Sequence, residues 1–141
     1  MFVAFTEEET GLYGSGLYVK KLSKEDRKSV RAFVNLECLG LDHPKVWASR
    51  ATPMLLARLN EVAGAIGINL QGVNPANIGD DDSHPFFNAK IPVISIHSIT
   101  RNTLKILHSP ADNVAAVKPE FHYEAYRLAA LYPAYLDQKL E

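Results

Sequence analysis

Phe2-Val3-Ala4-Phe5-Thr6-Glu7-Glu8-Glu9-Thr10-Gly11-Leu12-Tyr13-Gly14-Ser15 joins an apolar run of β type to three adjacent carboxylates and then to a glycine-punctuated segment. Residues 2–6 read as an inner strand of a sheet, because an unbroken apolar run bounded by polar residues fits a strand covered on both faces. Beyond the carboxylates Leu12, Leu17 and Tyr18 fall at helical spacing up to Lys21. Strand, acidic loop, helix is the local order of an open α/β sheet, and the carboxyl edge of such a sheet is where ligands sit. An inner strand this early also predicts sheet neighbours from an earlier part of the chain. Three acidic residues before a helix are favourable for the helix dipole alone, so the string around them has to carry any further reading.

Working outward, Ser23 with Asp26 three residues on predicts a capped, charged short helix through Lys28. Residues 30–39 are rich in Val, Phe and Leu, close at Gly40, and predict a second inner strand; residues 45–49 predict a third. Thr52 before Pro53 is a helix-start signal, and Leu55, Leu56, Leu59, Val62, Ala63 and Ile66 form one stripe ending at Gly67. Residues 68–73 allow a further short strand, residues 74–83 a long polar loop, residues 85–89 one helical turn, and residues 91–96 a strand of parallel-sheet type. From Pro119 onward Phe121, Ala125, Leu128, Tyr132, Leu136 and Leu140 keep helical spacing, with Pro133 expected to kink or break the helix. Strands alternating with helices predict an α/β fold: a three-layer α/β/α sandwich around a mostly parallel, mixed sheet.

The 141 residues fit one domain, 1–141, with 47% hydrophobic and 22% charged residues and a formal charge of −1. Near neutrality offers no basic surface for nucleic acid and no cationic helix for a membrane surface, which leaves a small or peptidic ligand. The single cysteine, Cys38, excludes an internal disulfide. Apolar runs are too short to span a membrane, and residues 1–10 lack the order of a secretory signal, so the compartment stays open.

Four segments carry the chemistry. The first is Glu8-Glu9-Thr10-Gly11-Leu12-Tyr13-Gly14-Ser15. The second is Asn35-Leu36-Glu37-Cys38-Leu39-Gly40, a carboxylate at the end of an apolar strand. The third is Asp80-Asp81-Asp82-Ser83-His84-Pro85-Phe86 with Ile91-Pro92 downstream, and the fourth is Leu107-His108-Ser109-Pro110-Ala111-Asp112. In this order they resemble the two-zinc exopeptidases of peptidase family M28, whose pattern has Glu-Glu-x-Gly-Leu-x-Gly-Ser, Asn-x-Asp with a Gly three residues later, Ser-Asp-His-x-x-Phe, and His-Thr-x-x-Asp.

The resemblance implies Glu8 as general base on a metal-bound water, Glu9 and His108 as zinc ligands, and Glu37 on a ligand position where the family has the shorter Asp. The third segment departs by exchanging Asp and Ser, so Asp82 and His84 are expected to line or support the site rather than bind metal. Asp112 is expected to orient the His108 turn, as metal-bound imidazoles generally require a second partner. His97, at the end of residues 91–96, is either a hydrogen-bonded core residue or a substrate contact. His43 and His122 have no motif around them and read as structural.

The family pattern also places a His ligand and a metal-bridging Asp before the Glu-Glu pair, and seven residues precede Glu8 here. The resemblance therefore implies a C-terminal portion of a catalytic domain with a partial zinc site, the complete enzyme holding two ions and cleaving the N-terminal bond of a peptide substrate. Competing readings are a non-catalytic binding module, a glutaminyl-cyclase-like enzyme with one zinc, and a fragment whose bare strand self-associates through the sheet edge.

Overall fold

The structure is a computed structural model that describes residues 1–74 and 79–140. Among these residues the strands are β1 (Phe33–Leu36), β2 (Lys45–Val46), β3 (Gln71–Gly72) and β4 (Val93–His97). The α-helices are α1 (Tyr13–Lys21), α2 (Lys24–Ser29), α3 (Pro53–Ala65), α4 (Ser83–Asn88) and α5 (Pro119–Lys139). The sheet order is β1-β4-β2-β3; β1 runs parallel to β4 and β2 parallel to β3, while β2 and β4 are antiparallel. This is the expected mixed sheet of an α/β fold.

All five residues of β4 are buried, as befits a central strand whose sequence is Val-Ile-Ser-Ile-His. Alternation sorts its side chains. Ile94 and Ile96 face the helix pair α3 and α5, where Leu55, Leu59 and Val62 meet Leu128, Tyr132 and Leu136. Val93 faces the opposite side, with Val19 of α1, Phe86 of α4 and Ile91. The sheet is therefore covered on both faces, which gives the three layers. Each fully buried aliphatic or aromatic side chain contributes about 1.5–3 kcal/mol, so the Leu and Ile rows of α3, α5 and β4 hold the two layers together. On the second face Phe33 and Phe86 stack with centroids 3.8 Å apart, and Phe5 and Tyr18 close over them.

Several expectations are corrected. Residues 2–6 form no strand: Met1 and Phe2 are exposed at 96% and 95%. A strand requires a hydrogen-bonded neighbour, and the described residues give this segment none; only Phe5 finds apolar partners. The runs at residues 30–39, 45–49 and 68–73 shorten to four, two and two paired residues because apolar character extends beyond the ladders. Thr52 precedes α3 as expected but does not cap it; its Oγ1 accepts from the Val93 N–H at 2.9 Å, tying α3 to β4 instead. Ser23 and Asp26 do form the reciprocal capping box of α2. Pro133 does not end α5, which continues to Lys139 because Leu128, Tyr132 and Leu136 on either side of it are all packed into one core. Of the loop at residues 74–83, residues 75–78 lie outside the described residues.

The fully buried Tyr132 hydroxyl donates to the Leu55 carbonyl at 2.8 Å and joins α5 to α3. Tyr132→Phe removes this bond with little change in volume. Urea unfolding is expected to show a loss of about 1 kcal/mol with an unchanged slope; an unchanged midpoint would mean that the bond contributes nothing to holding α5 on α3.

Candidate active site

The pleat that builds the core also builds the site. Phe33 lies on the α1/α4 face, so Asn35 and Glu37 follow it on the same face, and Ser95 and His97 follow Val93. Asn35 pairs in register with Ser95, and the Glu37 N–H donates to the Ile96 carbonyl at 3.1 Å, which carries the extended backbone one residue past β1. The face thus passes from apolar at the start of the parallel pair to polar at its carboxyl rim.

Over that rim lies a cleft of about 540 Å³ lined by Glu8, Glu9, Leu12, Glu37, Trp47, His108 and their neighbours. Glu8 and Glu9 reach it from the turn before α1. There the Glu8 carbonyl accepts from the N–H groups of Gly11 and Leu12, and the Thr6 carbonyl accepts from Gly14. Gly14 has no room for a side chain, since a Cβ there would stand 2.5 Å from the Thr6 carbonyl oxygen. Glu7, Leu12, Cys38 and His108 all hold left-handed backbone, with φ of 57°, 58°, 45° and 58°. Each such residue costs about 1 kcal/mol or more; Leu12, Cys38 and His108 line the cleft and Glu7 adjoins it in sequence, while a fifth, Lys90 at 63°, follows α4.

The charges are crowded. Burial raises the Glu37 carboxyl from its ordinary value of 4.5 to about 8, helped by the charges of Asp81, Glu8 and Asp82 and opposed by Arg50. Burial also raises Glu8, followed by repulsion from Asp82, Glu9 and Asp81, with His108 opposing. Glu9 Oε1 lies 3.6 Å from His108 Nδ1, both side chains largely exposed at the mouth. Zinc takes carboxylate oxygens and imidazole nitrogens, usually three or four from the protein. The donor types here suit it, but the number does not: among the described residues no three His, Cys, Asp or Glu side chains stand close enough to hold an ion.

The remaining predicted residues are placed as follows. His84 lines the cleft, with Nδ1 3.1 Å from Asp80 Oδ1. Asp82 occupies the residue before α4 without capping it and is felt at the cleft only through its charge on Glu8 and Glu37. Asp112 Oδ2 accepts from the backbone N–H of His108 at 3.2 Å, so it fixes the turn and not the ring. His97 is a correction to the substrate-contact alternative. It is fully buried, its Nδ1 accepts from the Ile99 N–H at 3.0 Å, and its Nε2 donates to the Val73 carbonyl at 3.1 Å. Burial keeps this imidazole below its ordinary pKa, and with both nitrogens engaged it is a core residue.

Sequence reasoning missed Trp47, Arg50, Asp80 and Asp81. Arg50 lies 3.9 Å over the Trp47 ring and pairs with Asp80 and, at 3.7 Å, Asp81. Burial pushes the Asp80 carboxyl up, but the hydrogen bond and charge of Arg50 outweigh it and hold Asp80 below its ordinary value. Asp81 is buried and accepts from both the N–H and the hydroxyl of Ser83, starting α4 in place of Asp82. The three consecutive Asp residues were the signal for Asp80 and Asp81; Trp47 and Arg50 sit in no motif.

The solved structures that resemble this chain include the zinc aminopeptidase BSAP from Bacillus subtilis, 26% identical with a TM-score of 0.78, over 93% of this chain and 34% of that one. The LapA aminopeptidase of Legionella pneumophila matches at 18% identity with a TM-score of 0.80, over 94% of this chain and 38% of its own. A glutaminyl cyclase from an Acidobacteriales bacterium matches at 22% with a TM-score of 0.73, over 91% and 46%. The chain thus spans about a third of the length of these aminopeptidases. Comparison with curated protein sequences gives no match. The sequence profile described as Peptidase family M28 matches residues 1–132, and the chain belongs to that family.

Proposed function

We propose that this chain carries the general base and part of the metal-donor set of a zinc-dependent, aminopeptidase-type hydrolase. The observation that supports the reading is the meeting of Glu8, Glu9, Glu37 and His108 in one cleft at the carboxyl rim of the sheet, in a chain of this family. Carboxylates that repel one another in a partly buried cleft are held there at a cost to the fold, and a bound cation would relieve it.

In this reading Glu8 accepts a proton from the attacking water and passes it to the departing amine. Burial and the neighbouring carboxylates raise its carboxyl above the ordinary value, the direction that strengthens it as a base. Glu9 and His108 are donors at the mouth, and Glu37 is a donor on the floor. Zinc, when bound, supplies an acidified water and polarises the scissile carbonyl. The acidic rim attracts the free ammonium group of a peptide N-terminus, and Leu12, Trp47 and Ile99 give the cleft an apolar wall for the side chain of the residue to be released. A single-zinc cyclase acting on N-terminal glutamine is a second reading, supported by the likeness to a glutaminyl cyclase.

With few donors in place, calorimetric titration of the purified chain is expected to show weak zinc binding. Glu9→Gln and His108→Ala should each weaken it by about tenfold or more, whereas Glu8→Gln should leave it unchanged. No binding at all, or equal losses in all three variants, would contradict these roles. The purified chain with zinc is expected to hydrolyse leucine anilide slowly or not at all. Readily measured turnover that Glu8→Gln abolishes would show the site to be complete, and cyclisation of glutaminyl peptides in place of hydrolysis would select the second reading.

The Glu37 carboxyl also predicts a pH dependence. Its folded value of about 8 exceeds its ordinary 4.5, so the folded chain holds this proton more tightly than the unfolded one. The stability it contributes is complete below about pH 4.5 and is lost as pH rises through 8. In a chelator, urea unfolding should show a fall of roughly 2 kcal/mol or more between pH 5 and 8 that Glu37→Gln flattens; the same slope in wild type and variant would remove Glu37 as its source.

A further inference from the structure

We propose that Ser98 is a positioning residue that sets Glu37 and His108 against each other across the cleft; the purpose of that spacing rests on the reading just given. Ser98 directly follows β4 and is fully buried. Its Oγ accepts the Gly40 N–H at 3.0 Å, a bond between residues 58 apart in sequence. Gly40 lies three residues after Glu37, in the turn at residues 39–40 that follows the left-handed Cys38. Its carbonyl accepts the Lys118 N–H at 2.8 Å just before α5, and at φ +90° a Cβ would stand 2.8 Å from Val117 Cγ1. Gly40 is therefore clamped from both its polar groups and from its open side, and the Glu37 turn has one place to sit.

The other half of the latch runs to His108. The Ser98 carbonyl accepts from Thr103 Oγ1 at 3.3 Å, and Thr103 Oγ1 in turn accepts the Thr100 N–H at 2.8 Å. The Thr103 carbonyl accepts from the Ile106 N–H at 2.9 Å, and the Ile106 carbonyl accepts from the Ser109 hydroxyl at 2.7 Å. Successive turns thus lead from Ser98 to the residue after His108, whose own N–H is held by Asp112. One serine holds the Glu37 turn through its side chain and the His108 loop through its backbone. Neither tie touches substrate or metal, so Ser98 acts through the two residues it places.

The test is two-dimensional NMR of the metal-free chain with Ser98→Ala, beside Tyr132→Phe as a control for general loosening. Alanine removes the Oγ tie and keeps the Ser98 carbonyl, so hydrogen exchange at the Gly40 amide should rise about tenfold or more and the Glu37 amide resonance should shift, while those of His108 and α3 stay in place. Thr103→Val cuts the loop side of the latch and should shift the His108 resonance with Glu37 in place; it stands in if Ser98→Ala does not fold. Unchanged Gly40 exchange or an unmoved Glu37 in Ser98→Ala, an unmoved His108 in Thr103→Val, or the same response in Tyr132→Phe, would overturn the proposal. Zinc titration of the same samples judges the metal reading separately: no zinc response, with these shifts intact, would remove the metal and leave the latch.

Discussion

The parallel ladder between β1 and β4 fixes which side chains arrive at the rim. Phe33 lies beside Val93 and Asn35 beside Ser95, and a slip of one residue would send Glu37 to the α3/α5 face, into a core of Leu, Ile and Tyr. The stack of Phe33 on Phe86 and the buried row of Ile94 and Ile96 hold the register from opposite faces. The same alternation that gives the core its two apolar faces therefore delivers a carboxylate where the chain leaves the sheet.

What that ladder assembles is electrostatically unfavourable by itself. Glu8 and Glu37 are both raised by burial, Asp81 and Asp82 add to both, and Glu9 raises Glu8 as Glu8 raises Glu37. Arg50 offsets part of this from behind Trp47, but its ion pairs go to Asp80 and Asp81, away from the glutamates. Left-handed backbone at Glu7, Leu12, Cys38 and His108 adds strain at the same place. Local rules broken together at one rim of an otherwise consistent fold are the pattern of a functional site.

Much of this was legible in the sequence for definite reasons. The stripe from Leu55 to Ile66 and the run ending at His97 each state a period and a length, and α3 and β4 follow them. Glu8, Glu9, Glu37 and His108 were singled out through the short strings that resemble the family's pattern, and the structure brings the four to one cleft. The run at residues 2–6 misled because apolar character reports a preference for burial and does not supply a partner strand. Pro133 does not break α5 because the local penalty is smaller than the packing of Leu128, Tyr132 and Leu136 around it. Trp47 and Arg50 were illegible because they sit in no motif and Arg50 meets Asp80 across 30 residues of chain, an association that belongs to the tertiary fold. His97 fell between, since a histidine at a strand end can face either the rim or the core.

The central claim is that the cleft between Glu9, Glu37 and His108 is where this chain takes a metal ion. The direct measurement is anomalous diffraction at the zinc edge from crystals of the chain soaked in zinc. The account predicts a peak in that cleft, within coordinating distance of at least one of the three side chains and with Glu8 facing it. A peak only at other surface histidines, or no peak while the three side chains stay as placed, would contradict it.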